Sequence, residues 1–244
     1  MSAMKFDLLA RWLPIVRRLS HGDGRVGLSY DDGPTPEATP GVLKLLSEYN
    51  AGATFFLSGC RTVQYPDLVA DIVRAGHPVY AHGWDHIRLD YAGPERLKAD
   101  LLRGEELLAR FRPTPDPYLV RLPYAGGYRN PKVHHAIRAF WPSAQIAHWS
   151  LHVDDPGLAR LCKTPDEVRL EGQKRIDAAL DTGSLEGAVM LLHDMAFDID
   201  SSVRAETSLI LTEQFLKGLA KRGLRACPMD ICLTPSILNR FLLL

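Results

Sequence analysis

Short apolar runs alternate with amphipathic helical stretches along this chain about seven times, and few architectures accept that rhythm. Val26 to Tyr30 reads as a first strand. Thr39 has the character of an N-cap, with Pro40 at the first helical position, and Val42, Leu45, Leu46 and Tyr49 then fall on one helical face. Thr54 to Leu57 is β-branched and aromatic, a second strand. Pro66 opens a helix carrying Leu68, Val69, Ile72 and Val73, His77 to Ala81 is a strand, and Pro94 opens a helix with Leu97, Leu101, Leu108 and Phe111 inward. Strands over Tyr118 to Leu122, Gln145 to Trp149 and Ala188 to Leu192 alternate with helices over Lys132 to Phe140 and Asp166 to Leu180. A last helix, with Leu209, Leu216 and Leu219 inward, precedes a short strand near Arg225 to Cys227. The pattern predicts an α/β fold, a distorted (β/α) barrel of about seven repeats, TIM-like. In such a barrel the strand ends share one face, where active sites are built.

Chemistry collects at those strand ends. Asp31-Asp32, His82, Arg121 and His193 each follow a predicted strand, so residues far apart in sequence would converge. Leu28-Ser29-Tyr30-Asp31-Asp32-Gly33-Pro34 supplies two adjacent carboxylates, and His82-Gly83-Trp84-Asp85-His86 supplies two imidazoles. Two histidines four apart either lie on one face of a helical turn or share a tight loop, so both can reach one ion. One carboxylate with two imidazoles leaves open positions on a divalent metal, as a catalytic site requires. The spare carboxylate is free to take a proton from metal-activated water, and the combination points to hydrolysis.

Composition narrows the alternatives. The 244 residues are 46% hydrophobic and formally neutral, which gives ample core and no nucleic-acid footprint. Cys60, Cys162, Cys227 and Cys232 form no CxxC pair and read as free thiols in a reducing compartment. Lys5, Arg11, Arg17 and Arg18 interrupt any apolar run near the start, so no secretory signal is read there. Residues 1–24 are expected to form an N-terminal amphipathic segment and 25–244 the catalytic domain. Phe6, Leu9, Leu13 and Val16 recur near helical spacing, with Trp12 among basic residues. That predicts a terminal helix packed against the barrel, with a peripheral membrane contact through residues 5–19 as its other use. Pro14 limits its length. The expected location is cytoplasmic, or peripheral at the inner membrane surface.

Five motifs in order, from about Arg25 to about Arg225, resemble those of the polysaccharide deacetylase family, also called the NodB-homology or carbohydrate esterase 4 family. They are Ser29-Tyr30-Asp31-Asp32-Gly33-Pro34, His82-Gly83-Trp84-Asp85-His86, Arg121-Leu122-Pro123-Tyr124, the looser Trp149 to Asp155 segment, and Leu191-Leu192-His193. The resemblance implies Asp32, His82 and His86 as metal ligands, Zn²⁺ as the ion, and Asp31 as general base. It also implies that His193 has a carboxylate partner from the fourth motif, where Asp155 aligns best and Asp154 is the fallback. Histidine suits the general acid that protonates a leaving amine near neutral pH. Arg121 is predicted to pair with Asp31, because its fork matches a carboxylate. Pro123 fixes a turn that would present the backbone N–H of Tyr124 to the substrate carbonyl, completing an oxyanion site with the metal. Leu191 would line a small pocket for an acetyl methyl, or serve as a plain core leucine.

Three departures stand out. Gly83 replaces the hydroxyl residue usual in the second motif, Ala125-Gly126-Gly127 makes a more open rim, and Asp85 adds acidity beside His86. The reading is a metal-dependent deacetylase removing an N-acetyl group from an amino-sugar-containing substrate. Its rivals are hydrolysis of a non-sugar amide such as a cyclic imide or ureide, and a catalytically idle metal- and carbohydrate-binding protein.

Overall fold

The computed structural model of the protein describes residues 12–181 and 183–229. Its strands are β1 (Ile15–Val16), β2 (Arg25–Asp31), β3 (Thr54–Leu57), β4 (Val79–Ala81), β5 (Leu119–Val120), β6 (Gln145–Ala147), β7 (Leu151–His152), β8 (Val189–His193) and β9 (Arg225–Cys227). Between them run α1 (Thr39–Glu48), α2 (Gly59–Gln64), α3 (Pro66–Arg74), α4 (Pro94–Leu108), α5 (Pro131–Arg138), α6 (Asp155–Leu161), α7 (Pro165–Leu180) and α8 (Arg204–Ala220).

All named strand pairs are parallel, in two arcs. One arc runs β4-β3-β2-β8-β7, with β9 pairing the start of β2, and the other runs β1-β6-β5. Together they make a distorted (β/α) barrel. Alternation along the strands sorts the core into two parts. Leu28, Tyr30, Phe55 and Leu57 face the helices, packing on Val42, Leu46 and Phe215. Phe56, Tyr80, Tyr118, Val120 and Val189 join the second cluster. Fully burying a leucine- or phenylalanine-sized side chain stabilises by about 1.5–3 kcal/mol, so these two clusters hold the strand ends in register.

The N-terminal segment departs from the predicted helix. Residues 5–11, with Phe6 and Leu9, lie outside the described residues. Ile15–Val16 is a strand, with Ile15 opposite Ile146 and Val16 opposite Ala147. Leu13, Ile15, Val16 and Leu19 are buried in the second cluster. Pro14 disfavours a helix there, and its carbonyl instead accepts from the N–H of Ile146. Thr39 is helical rather than an N-cap: its hydroxyl accepts from the Thr35 N–H at 2.7 Å and donates to Asp194. The predicted strand from Gln145 to Trp149 ends at Ala147 as β6, and β7 is a separate strand that begins at Leu151. The Trp149 N–H is taken by His148 Nδ1 at 2.9 Å, which turns the chain out of the ladder. Cys60 and Cys162 are free thiols, Cys227 is buried, and Cys232 lies outside the described residues.

Candidate active site

β2 ends by delivering Asp31 and Asp32 to the mouth of the barrel. Asp31 continues the strand opposite Phe56 and His193, while Asp32 turns left-handed at φ +77°. Such a conformation is strained for a residue with a Cβ and persists only where its surroundings fix it. Here the Ser58 hydroxyl and Arg61 Nη1 donate to the Asp32 carbonyl at 3.1 and 3.2 Å. The N–H of Phe197 donates to Asp32 Oδ2 at 2.8 Å. A Cβ on Gly33 would stand 2.6 Å from Asp194 Oδ2, which explains why the turn is Asp-Gly. Burial pushes Asp194 up to about 6, with the Thr39 and Thr35 hydroxyls opposing.

His82 follows β4 directly, and the loop after it returns His86 to the same point. Of the two arrangements open to this pair, the structure takes the loop, with His86 at φ +52°. His82 Nε2 lies 3.5 Å from Asp32 Oδ1, and His86 Nε2 lies 3.1 Å from the same oxygen. Gly83 has φ +76°, and a Cβ there would be 3.2 Å from Pro123 and 3.3 Å from Leu89, so a larger residue would be strained in its backbone and tight in space. Asp85 is exposed and its charge raises Asp100, while the charges that raise His86 are those of Asp32, Asp198 and Asp31.

This trio fits a divalent cation. The three ligand atoms lie within 4.8 Å of one another and all three residues are buried. Asp32 Oδ1 is buried with no hydrogen-bond partner, an anionic oxygen awaiting a positive charge. His82 Nδ1 is 3.0 Å from the Arg121 carbonyl, the contact that leaves Nε2 bare for a metal. Burial opposes ionisation of Asp32, but the close contact with His86 and the charges of His193 and His82 prevail and hold it well below the usual carboxylate range. Burial lowers His82. His86 is raised, because its contact with Asp32 outweighs burial.

Arg121 is buried and its Nη1 donates to Asp31 Oδ1 at 2.7 Å and to the Ser29 hydroxyl at 2.8 Å. That leaves Asp31 Oδ2 facing the cavity, 3.7 Å from His82 Nε2. Across the mouth, His193 Nδ1 sits 3.1 Å from Asp155 Oδ1, and the His193 N–H donates to Asp155 Oδ2 at 2.7 Å. Asp154 instead caps α6 and faces Arg175 at 3.3 Å, so Asp155 is the partner that the geometry supplies. Burial opposes the imidazolium, yet Asp155, Asp32 and Asp31 raise His193 to about 10.

A cavity of about 290 Å³ is lined by Asp31, Asp32, His82, His86, His193, Leu191 and Tyr124, with Trp149 and Phe197. Arg121 and Asp155 stand behind it as the partners of Asp31 and His193. Tyr124 is left-handed at φ +58° in the short turn Pro123–Ala125. Its hydroxyl donates to Asp198, which pushes Tyr124 up to about 12. Sequence reasoning missed Asp198, Phe197 and Arg61. Asp198 Oδ2 lies 3.3 Å from His86 Nδ1, while Phe197 stacks on the His86 ring at 5.1 Å. Arg61 lies over Phe197 and donates to the Met195 carbonyl at 2.8 Å, tying that loop down. Carboxylates behind ligating histidines tune both orientation and affinity. Asp198→Ala is therefore expected to weaken metal binding by about tenfold. Competition with a chromogenic chelator measures it, and an unchanged affinity would show that His86 is oriented without Asp198.

The chain is similar to known proteins in sequence and fold. Residues 19–139 match the polysaccharide deacetylase family. A peptidoglycan-N-acetylglucosamine deacetylase of Bacillus cereus is 30% identical over 200 residues, covering 82% of this chain and 84% of the relative. A chitooligosaccharide deacetylase of Bradyrhizobium is 29% identical over 221 residues, covering 85% and 90%. The chitin deacetylase structure from Colletotrichum lindemuthianum superposes with a TM-score of 0.71 at 23% identity, over 88% of both chains. Fold and sequence agree on one lineage, and the chain is an enzyme of the polysaccharide deacetylase family.

Proposed function

We propose that the protein hydrolyses the N-acetyl amide of an amino sugar within a glycan, with Asp32, His82 and His86 holding a divalent ion, most simply Zn²⁺. The observation that carries this reading is the cavity in which a base and an imidazole acid, each with its own orienting partner, flank a three-ligand metal trio. A pure binding protein has no use for both. The named activities of the relatives, on peptidoglycan N-acetylglucosamine and on chitooligosaccharides, supply the substrate class.

Bound there, a divalent ion would acidify water and polarise the amide carbonyl. The chain's own residues do the rest. Asp31 accepts the water's proton at Oδ2, because Oδ1 is held by Arg121. The backbone N–H of Tyr124 receives the developing oxyanion. Leu191 offers the acetyl methyl an apolar wall in the cavity. His193, whose Nδ1 is held by Asp155, donates its proton from Nε2 to the leaving nitrogen.

The test is release of acetate by metal-loaded protein from N-acetylglucosamine and its oligomers, against ring opening of cyclic imides. Acetate from the sugars is expected; imide opening without it would overturn the assignment. His193→Asn locates the acid. In the wild type the imidazolium persists through neutrality, since His193 is raised from 6.5 to about 10, so the loss of activity that His193 controls lies on the alkaline side, as that proton is lost. A metal beside Asp32 offsets part of the negative charge that raises His193, which moves the limb to a pH between those two values. In His193→Asn this limb should vanish, and the loss should be greatest for the most basic leaving amine. A limb that persists in the variant assigns the proton to another group.

A further inference from the structure

The loop that carries both imidazoles does not hold its own shape. His82 to His86 has no regular secondary structure, and two of its residues are left-handed, Gly83 at φ +76° and His86 at φ +52°. A residue with a Cβ keeps that conformation only where its surroundings impose it. Gly83 has no side chain with which to hydrogen-bond across the loop. The restraint comes from outside and arrives at Trp84, midway between the two histidines.

Two helices grip the loop there. The N–H groups of Gly59 and Cys60, at the start of α2, donate to the carbonyls of Gly83 and Trp84 at 2.9 and 3.0 Å. From α4, Asp100 Oδ1 accepts from the Trp84 N–H at 3.0 Å. The indole is held as firmly as the peptide. A Cβ on Gly59 would stand 2.4 Å from the ring, so the ring lies directly against the α2 backbone. The Arg103 guanidinium lies over the ring, 3.3 Å from its centroid. Asp100 and Arg103 are three residues apart on α4, so one helical face presents both.

Trp84, Asp100 and Arg103 stand outside the lining of the cavity, and the reaction as described uses none of them. Yet the φ and ψ of Trp84 set where one imidazole stands relative to the other. The two Nε2 atoms converge on Asp32 Oδ1, at 3.5 and 3.1 Å, only while that peptide keeps its orientation. We propose that Asp100 is a positioning residue for the metal centre: from α4 it holds the Trp84 peptide, with Arg103 over the indole, so that His82 and His86 are shaped for one ion before it arrives. This rests on the reading that Asp32, His82 and His86 hold a divalent cation. A loop prepared in this way gives up little freedom on binding, so losing the brace weakens affinity.

The experiment titrates Co²⁺ into the metal-free wild type, Asp100→Ala and Asp100→Asn. Visible absorption reads the coordination geometry, and competition with a chelator gives the Kd. Asp100→Ala is expected to bind about tenfold more weakly, the low end of what residues behind a ligand contribute, and with an altered spectrum. Asp100→Asn keeps an oxygen for the Trp84 N–H and should restore both. The Tm of each metal-free protein separates positioning from stability: a lowered Tm in Asp100→Ala with wild-type affinity and spectrum overturns the proposal. So does an Asp100→Asn variant as weak as Asp100→Ala, which would assign the effect to charge rather than to the hydrogen bond. Should Asp100→Ala not fold, Arg103→Ala takes its place, since Arg103 is exposed. Binding about threefold weaker, the worth of one exposed cation–ring contact, then supports the brace, and unchanged binding overturns it. A wild type that binds no Co²⁺ removes the metal reading and the proposal with it, whereas equal affinities in wild type and Asp100→Ala remove the proposal alone.

Discussion

Asp31→Asn is expected to keep its metal and lose turnover by about 10²–10⁴-fold, the contribution of a positioned general base. The amide is nearly isosteric and its oxygen can still accept from Arg121 Nη1, which stands 2.7 Å from Asp31 Oδ1. Its nitrogen has no basic lone pair for the proton that Oδ2 would take. Metal content should hold, since Asp32, His82 and His86 form a complete trio without Asp31. Stability should fall as well, because Arg121 is buried and loses its counter-charge. Removing one partner of such a pair costs about 3–5 kcal/mol when nothing replaces it, and the retained hydrogen bond should hold the loss below that range. Metal analysis, kcat at a temperature well below the variant's Tm, and the Tm itself make the measurement. Near-full kcat would remove Asp31 from the reaction.

Stripping the metal should have the second large effect. Asp31 and Asp32 are buried and adjacent; Arg121 pairs with Asp31, but Asp32 Oδ1 has no hydrogen-bond partner, so without a cation its charge is only partly compensated. A ligand present at a thousandfold excess over its Kd stabilises by about 4 kcal/mol, roughly 10 °C in Tm for a chain of this size. EDTA should abolish activity and lower the Tm by that order, and Zn²⁺ should restore both. His82→Ala and His86→Ala should lose the ion and the Tm response together. Equal metal in wild type and both variants would dissolve the proposed site. The pH sign follows from His86, which must be unprotonated to bind and whose pKa is raised above 6.5 by Asp32. Affinity should therefore decline as pH falls through that raised value, by about tenfold per unit for one displaced proton.

How much of this was legible depends on what each residue must satisfy. The ligand trio and the base need particular chemical types at particular strand ends, so Asp31, Asp32, His82, His86, Arg121 and His193 could be read from type and position. Asp155 sits in a degraded motif, yet it is the carboxylate that meets His193. Asp198 carries no such constraint: it lies in the irregular Ala196 to Asp200 loop, and only three dimensions bring it to His86 and Tyr124. Among elements, β2, β3, β8 and β9 are apolar runs with clear ends. The six residues of α2 offer too short a stretch for helical periodicity to register. At the N-terminus the spacing of Leu13 and Val16 suited a helix, but pairing with β6 decided the outcome. Thr39 had the right chemistry for a cap and was drawn instead to the buried Asp194.

The placement of Arg121 binds the enzyme's history to its architecture. Hydrogen-bonded strands form two separate arcs, and Arg121, just past β5 in the smaller one, reaches across to Asp31 and Ser29 on β2. Its other nitrogens reach the carbonyls of Ala147 and His148, both at 3.3 Å. One side chain thus works as a keystone between arcs that, among the described residues, share no strand ladder beyond the isolated Arg18–Ala188 bridge, and as the clamp on the proposed base, Asp31. A descendant could not discard the base cheaply, because the keystone's charge would be stranded inside the barrel. Nor could it replace the keystone with an apolar residue without freeing the base. Such coupling attaches a stability cost to replacing either member, which shields the Asp31–Arg121 pair from drift even in a lineage whose substrate is changing around it.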